Sequence, residues 1–139
     1  MEKHILVPMT HAEESDKALE YAITNFPDAE FTVIHVINPG YQYGVEGYVG
    51  YEQIMEQERR KANELFGKAT EIAASHGVTI TTEQLTGHTP TTILQYADEQ
   101  QADQIVLGSR GRGGISRLLL GSVAEAVTRR SSIPVTIVR

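Results

Sequence analysis

The chain of 139 residues contains no cysteine. That absence excludes disulfides, thiolate catalysis and cysteine-ligated zinc, and it suits a reducing compartment. Long apolar runs are missing too. The N-terminal stretch MEKHILVPMTHAEES carries charge within its first three residues, and its apolar segment is too short for a signal peptide or a membrane span. Positive charge is in deficit: 12 Lys and Arg against 18 Asp and Glu leave a net charge of -6, which argues against general affinity for nucleic acid or anionic membrane. Arginines do gather at positions 110, 112, 117, 129 and 130, so any basic function is local. No internal repeat, low-complexity tract or linker interrupts the chain. The expectation is a cytoplasmic domain spanning residues 1–139, long enough for one real core.

What is present is an alternation of short apolar runs with helical patterns. His4 to Met9 (HILVPM) reads as a strand, and Glu13 to Phe26 places Ala18, Leu19, Ala22 and Phe26 at helical spacing. Phe31 to Ile37 (FTVIHVI) is apolar and β-branched at nearly every position, as an interior strand covered on both faces would be. Asn38 to Gly50 has four glycines and no period, and reads as a loop whose tyrosines Tyr41, Tyr43 and Tyr48, with Tyr51, are candidates for a lid or a partner surface and equally for a plain mobile glycine-tyrosine loop. A long helix is expected from Tyr51 to His76, with Ala62, Leu65, Phe66, Ala69, Ile72 and Ala73 as its stripe, solvated early turns and Gly77 as its stop. Val78 to Leu85 suits an edge strand. Thr89-Pro90 opens a helix that buries Ile93, Leu94 and Ala97, Asp103 to Gly108 is a buried strand, Gly121 or Ser122 opens a last helix, and Pro134 to Val138 ends the chain as a strand. Strands alternating with helices require a parallel sheet between two helical layers, an α/β fold. In such sheets ligands bind beyond the carboxyl ends of the strands.

One motif lies at such an end. In GSRGRGGISRLLLGS, Gly108 and Gly111 are separated by two residues, nine more precede Gly121, and Ser122 follows at once. Glycines so placed let backbone approach a ligand closely, and the first amides of the following helix have no intrahelical partner. Such a loop suits phosphate. The bland alternative is that these glycines only turn the chain. A Walker-type loop is excluded because no lysine follows the glycines, and G-x-G-x-x-G fails because Ser116 holds the last glycine position.

Together, the motif ILVPM, the His35-Val36 pair near the end of the second strand, and G-x-x-G-(nine residues)-G-S before a final helix resemble the universal stress protein family over the whole chain. The resemblance implies an open, Rossmann-like five-stranded parallel sheet in the order 3-2-1-4-5, related to the adenine nucleotide alpha hydrolase-like folds. It also implies a homodimer along the last strand (Val135, Thr136, Ile137, Val138) and ATP binding, with Mg²⁺ brought by the phosphates. Carried over by residue, it sets Gly108, Gly111, Gly121, Ser122 and Val123 around ribose and phosphates, Pro8 at the pocket wall, and the Val36 backbone against adenine. Met9, Thr10, Ser109, Arg110 and Arg112 complete the expected lining. Two departures stand out. Many ATP-binding relatives carry aspartate where this chain has Thr10, which supplies a hydrogen bond but no charge. The proline of GHTPTTI stands three residues after Gly87, one further than is usual.

Arg110 and Arg112 are candidates for γ-phosphate or simply solvated. His11 and His88, expected near strand ends, are weak candidates for a general base, and His35 reads as a hydrogen-bonded core histidine. Five histidines without paired spacing predict no structural metal site. A regulatory protein whose conformation or partners follow ATP occupancy is the favoured expectation. A slow ATP hydrolase and a nucleotide-free scaffold are the alternatives, and nothing in the sequence nominates a nucleophile for hydrolysis.

Overall fold

Ile5, Leu6 and Val7 are three consecutive residues with 0% exposure. A strand reaches that state only when both of its faces are covered. The computed structural model, which describes residues 2–39, 50–109 and 120–139, shows how. The elements are β1 (His4–Pro8), α1 (Glu13–Asn25), β2 (Glu30–Ile37), α2 (Tyr51–Ser75), β3 (Thr81–Thr86), α3 (Thr89–Glu99), β4 (Gln104–Gly108), α4 (Ser122–Arg130) and β5 (Val135–Val138). The five strands form one parallel sheet in the order β3-β2-β1-β4-β5. β1 is therefore central, and the expected α/β fold and strand order are both observed.

The period-two alternation of side chains divides the core in two. On one face Ile5, Val7, Phe31, Val33 and Val106 pack with Ala18, Leu19, Ala22 and Ile23 of α1 and Leu65, Ala69 and Ala73 of α2. On the other, Leu6, Ile34, Ile105 and Leu107 pack with Ile93 and Ala97 of α3 and Ala124 and Val127 of α4. The small residues at the helix positions bring the helix backbones close to the β-branched sheet. An ion pair at 2.7 Å between Lys68 and Asp16 links α2 to α1 on the outside. No helix among the described residues is long and apolar enough to cross a membrane.

The largest boundary difference from the sequence expectation is at β3. β3 starts at Thr81 rather than Val78, because α2 ends in a Schellman motif: Val78 N–H donates to Ala73 C=O and Gly77 N–H to Ala74 C=O, both at 2.9 Å, with Gly77 at φ 72°. The amide that would begin the ladder is spent closing the helix. The early turns of α2 are exposed at Tyr51, Glu52 and Gln53, but Met55 is 5% exposed and belongs to the core. β1 ends at Pro8 rather than Met9, whereas the last helix begins at Ser122 as expected, with Gly121 as its N-cap.

Candidate site at the carboxyl ends of the strands

The chain winds outward from β1 through β2 to β3, then crosses back to β4 and β5, so the winding reverses between β1 and β4. Pro8 helps to open the sheet there. Met9 N–H donates to Ile34 C=O of β2 at 2.8 Å, and Asp103 N–H donates to His4 C=O, so odd-numbered peptide groups of β1 face β2 and even-numbered ones face β4. The imide nitrogen of Pro8 therefore faces β4 and has no proton to give. The paired register of β1 runs to Pro8↔Ile34 on the β2 side but only to Leu6↔Ile105 on the β4 side.

β2 outruns β1. Ile34 takes the last bond from β1, and the same alternation turns the Val36 peptide groups toward the space past the end of β1, while Gly87 N–H donates to Ile37 C=O on the β3 side at 2.9 Å. Met9 is buried, and its carbonyl accepts from His35 Nδ1 at 2.8 Å. Both peptide groups of Met9 are thus committed, and Thr10, which is exposed, is the first residue of this wall that can offer a polar group outward. Thr10 N–H donates to Ser15 Oγ at 2.8 Å, Thr10 Oγ1 lies 3.2 Å from Ser15 Oγ, and Ala12 N–H donates to Thr10 Oγ1 at 3.2 Å. This network ties the chain that enters α1 to the first turn of the helix, whose N-cap residue Ala12 makes no side-chain cap bond. Sequence reasoning singled out Thr10 but missed Ser15. A serine three residues into a helix, answering a threonine before it, was the available signal.

On the opposite wall, Ser109 N–H donates to Val138 C=O at 2.8 Å, and Gly121 N–H donates to Ser109 C=O at 2.6 Å. The chain thus leaves β4 and returns to α4 at one point. The first helical bond of α4 is Glu125 N–H to Gly121 C=O at 2.9 Å, so the amides of Ser122, Val123 and Ala124 precede the helical ladder. The first turn of α1 carries Glu13, Glu14 and Asp16, whereas that of α4 carries Glu125, 2.8 Å from Arg129. Of these two helix starts, α4 is electrostatically the better suited to an anion. Gly108 has a second explanation: a Cβ there would come within 2.8 Å of Glu14 Cβ and 2.9 Å of the Glu14 carbonyl carbon and oxygen. The first turn of α1 crosses β4 at this residue, and packing alone demands glycine.

His35 is half-buried rather than a full core residue. A carbonyl accepts from Nδ1, so that nitrogen carries a proton. The His11 ring meets it edge-on, with centroids 5.8 Å apart. Partial burial first, then His35 and Lys61, hold the His11 pKa below its ordinary value of 6.5, against the opposing pull of Glu58 and Glu64. His88 precedes α3 and contacts Thr91 Oγ1 through Nδ1 at 2.9 Å. Pro8, Met9, Thr10, Val36, Gly108, Ser109, Gly121, Ser122 and Val123 thus all lie at the carboxyl end of the sheet or at the start of α4. Arg110, Gly111 and Arg112, and Tyr41, Tyr43 and Tyr48, lie outside the described residues. A separate groove of about 370 Å³ lies among Leu94, Asp98, Gln101, Arg130 and Ile133, where α3 and α4 end, away from this site. Among the described residues no group of three or more His, Cys, Asp or Glu side chains could hold a metal.

An open, doubly wound parallel sheet with its crevice at a reversal of winding defines a Rossmann-like α/β protein. The sequence model of the universal stress protein family matches residues 1–139. The chain belongs to that family. It is 34% identical over 139 residues to a universal stress protein of Methanocaldococcus jannaschii, covering 99% of this chain and 82% of the relative. The structure is similar to that of the universal stress protein UspA from Lactobacillus plantarum, with a TM-score of 0.86 at 22% identity over 99% of this chain and 97% of the other. It is also similar to a universal stress protein solved in complex with cAMP, with a TM-score of 0.74 at 25% identity over 99% and 97% of the two chains.

Proposed function

We propose that this protein binds an adenine nucleotide, ATP foremost, in the crevice between β1 and β4, and that occupancy alters its conformation or its choice of partner during a stress response. The observation that carries the reading is the pairing of two features at one end of the sheet. Val36 turns peptide groups past the end of β1, able to read a base edge, and the first amides of α4 begin where β4 ends, able to hold phosphate. Gly108, Ser109, Gly121, Ser122 and Val123, with Arg110, Gly111 and Arg112, are assigned to the phosphate side. Pro8, Met9, Thr10 and Val36 are assigned to the base and sugar side. Since no protein cluster offers a metal cage among the described residues, Mg²⁺ would be held chiefly by the phosphates and water. The complex of a structural neighbour with cAMP supports an adenine ligand.

Calorimetric titration with ATP and Mg²⁺ tests the reading: saturable heat is expected, and its absence at millimolar nucleotide refutes it. Gly121→Leu should abolish binding with the circular dichroism spectrum retained, and unchanged affinity would remove α4 from the site.

The same reading includes a homodimer through β5. Val135, Thr136, Ile137 and Val138 are all half-buried on an open sheet edge, and pairing with a second copy about a two-fold axis would cover the bare strand. Sedimentation at micromolar concentration should report a dimer. A monomer there overturns it.

A further inference from the structure

The hydrogen bonds at the end of β1 bear on which way one proton points. Ser15 is 4% exposed, and its Oγ already accepts from Thr10 N–H at 2.8 Å. Its own hydroxyl proton needs an acceptor, since a buried donor without a partner is costly. Among the described residues the acceptor within reach is Thr10 Oγ1, at 3.2 Å. Of the two directions this contact allows, donation from Ser15 to Thr10 is the one that leaves the buried hydroxyl paired. The second lone pair of Thr10 Oγ1 accepts from Ala12 N–H at 3.2 Å. A hydroxyl has two acceptor sites and one proton. Both acceptor sites are filled from within the protein, and only the proton remains for an exposed partner.

We propose that Ser15, acting through Thr10, sets the hydrogen-bond polarity of the β1 wall, so that Thr10 meets a bound nucleotide as a donor only and the site accepts a nucleotide atom that can accept but not donate, such as a phosphodiester oxygen. The inference rests on the nucleotide-binding reading above and deepens it. A carboxylate at position 10 would impose the reverse preference, being able only to accept. A ribose hydroxyl satisfies either arrangement, because it both donates and accepts. An esterified one satisfies only the threonine. Ser15 is here a positioning residue and Thr10 the contact.

The test uses the full chain with AMP and 3′,5′-cyclic AMP, which differ in whether the 3′ oxygen carries a proton, and with ATP as a control. The wild type should bind the cyclic nucleotide within about 3-fold of AMP. Thr10→Val should weaken both by about 5-fold, the loss of one ordinary hydrogen bond, and Thr10→Ser should restore them. Thr10→Asp should penalise cyclic AMP relative to AMP by at least about 10-fold, as a charged acceptor set against an acceptor. Ser15→Ala frees an acceptor site on Thr10 that only the hydroxyl of AMP can use, so it should shift the ratio of the two affinities toward AMP in the Thr10 background and leave it unchanged in the Thr10→Val background, which a purely structural role at the start of α1 would not produce. Wild-type affinity in Thr10→Val, or an equal effect of Thr10→Asp on both nucleotides, overturns the proposal. If ATP binds and neither monophosphate does, this proposal fails and the nucleotide reading stands. If none of the three binds, both fail.

Discussion

Replacing Gly108 by alanine separates two reasons for a glycine that the sequence cannot tell apart. The added Cβ would sit 2.8 Å from Glu14 Cβ and 2.9 Å from the Glu14 carbonyl carbon and oxygen. Two of those three atoms are backbone, so trimming the Glu14 side chain cannot relieve the clash. Either the first turn of α1 lifts or the end of β4 shifts, where Gly108 pairs with Val138 and the next amide bonds the Val138 carbonyl. Overpacking of this kind costs about 1–3 kcal/mol, which for a domain of this size lowers Tm by about 4–12 °C. Urea and thermal unfolding of the nucleotide-free protein is the assay, because a glycine required only for ligand approach would show no cost there. Gly67→Ala is the matched control: it lies within α2 with nothing within 4 Å of the new methyl, and it should stabilise by about 0.5–1 kcal/mol. Gly108→Ala unfolding at the wild-type midpoint without ligand would refute the packing argument and return this glycine wholly to the binding site.

Further outcomes follow from the same structure. Gln101 closes α3 in a left-handed conformation at φ 54°, with Ala102 N–H donating to Ala97 C=O at 2.9 Å, so Gln101→Gly should raise stability by about 0.5–1 kcal/mol in urea unfolding. Gly87 sits at φ 150° with its missing Cβ 2.6 Å from Thr92 Oγ1; Gly87→Ala should destabilise, and adding Thr92→Ala should recover only the steric part, as double-mutant unfolding can resolve. Ile34 is fully buried beneath α3, and Ile34→Ala should cost about 2–5 kcal/mol by chemical denaturation. Because the folded His11 pKa lies below 6.5, the unfolded chain binds more protons below that pH. The His11 contribution is then complete above about pH 6.5 and is lost as pH falls toward the folded value. His11→Asn should flatten the urea midpoint between pH 7 and 5 relative to wild type, and parallel pH profiles would contradict this.

Much of the architecture was legible because period and composition are local properties. FTVIHVI reads as an interior strand, since only a segment covered on both faces can carry so many branched apolar residues, and β2 proved to lie between β1 and β3. The start of β3 was misplaced by three residues because the amide of Val78 could serve a helix end or a strand, and apolar pattern does not decide between them. Met55 looked solvated among Glu52, Gln53 and Glu56 and is nonetheless buried, since what covers a helix face comes from elsewhere in the chain.

The candidate site shows the same division. Pro8, Thr10, Gly108 and Gly121 were visible as residue types with special backbone or hydrogen-bonding roles, and the chain alone determined the alternation of strands and helices and the presence of a glycine-bounded loop before the last helix. Strand order came from resemblance and was settled in space, because hydrophobic period carries no information about which strands are neighbours. That Pro8 opens the sheet toward β4, that Gly108 is crossed by α1, and that the Ser15 hydroxyl lies against that of Thr10 are likewise tertiary facts. Each depends on a partner brought close by packing, and on which side of a strand or helix the pleat and twist happen to present it.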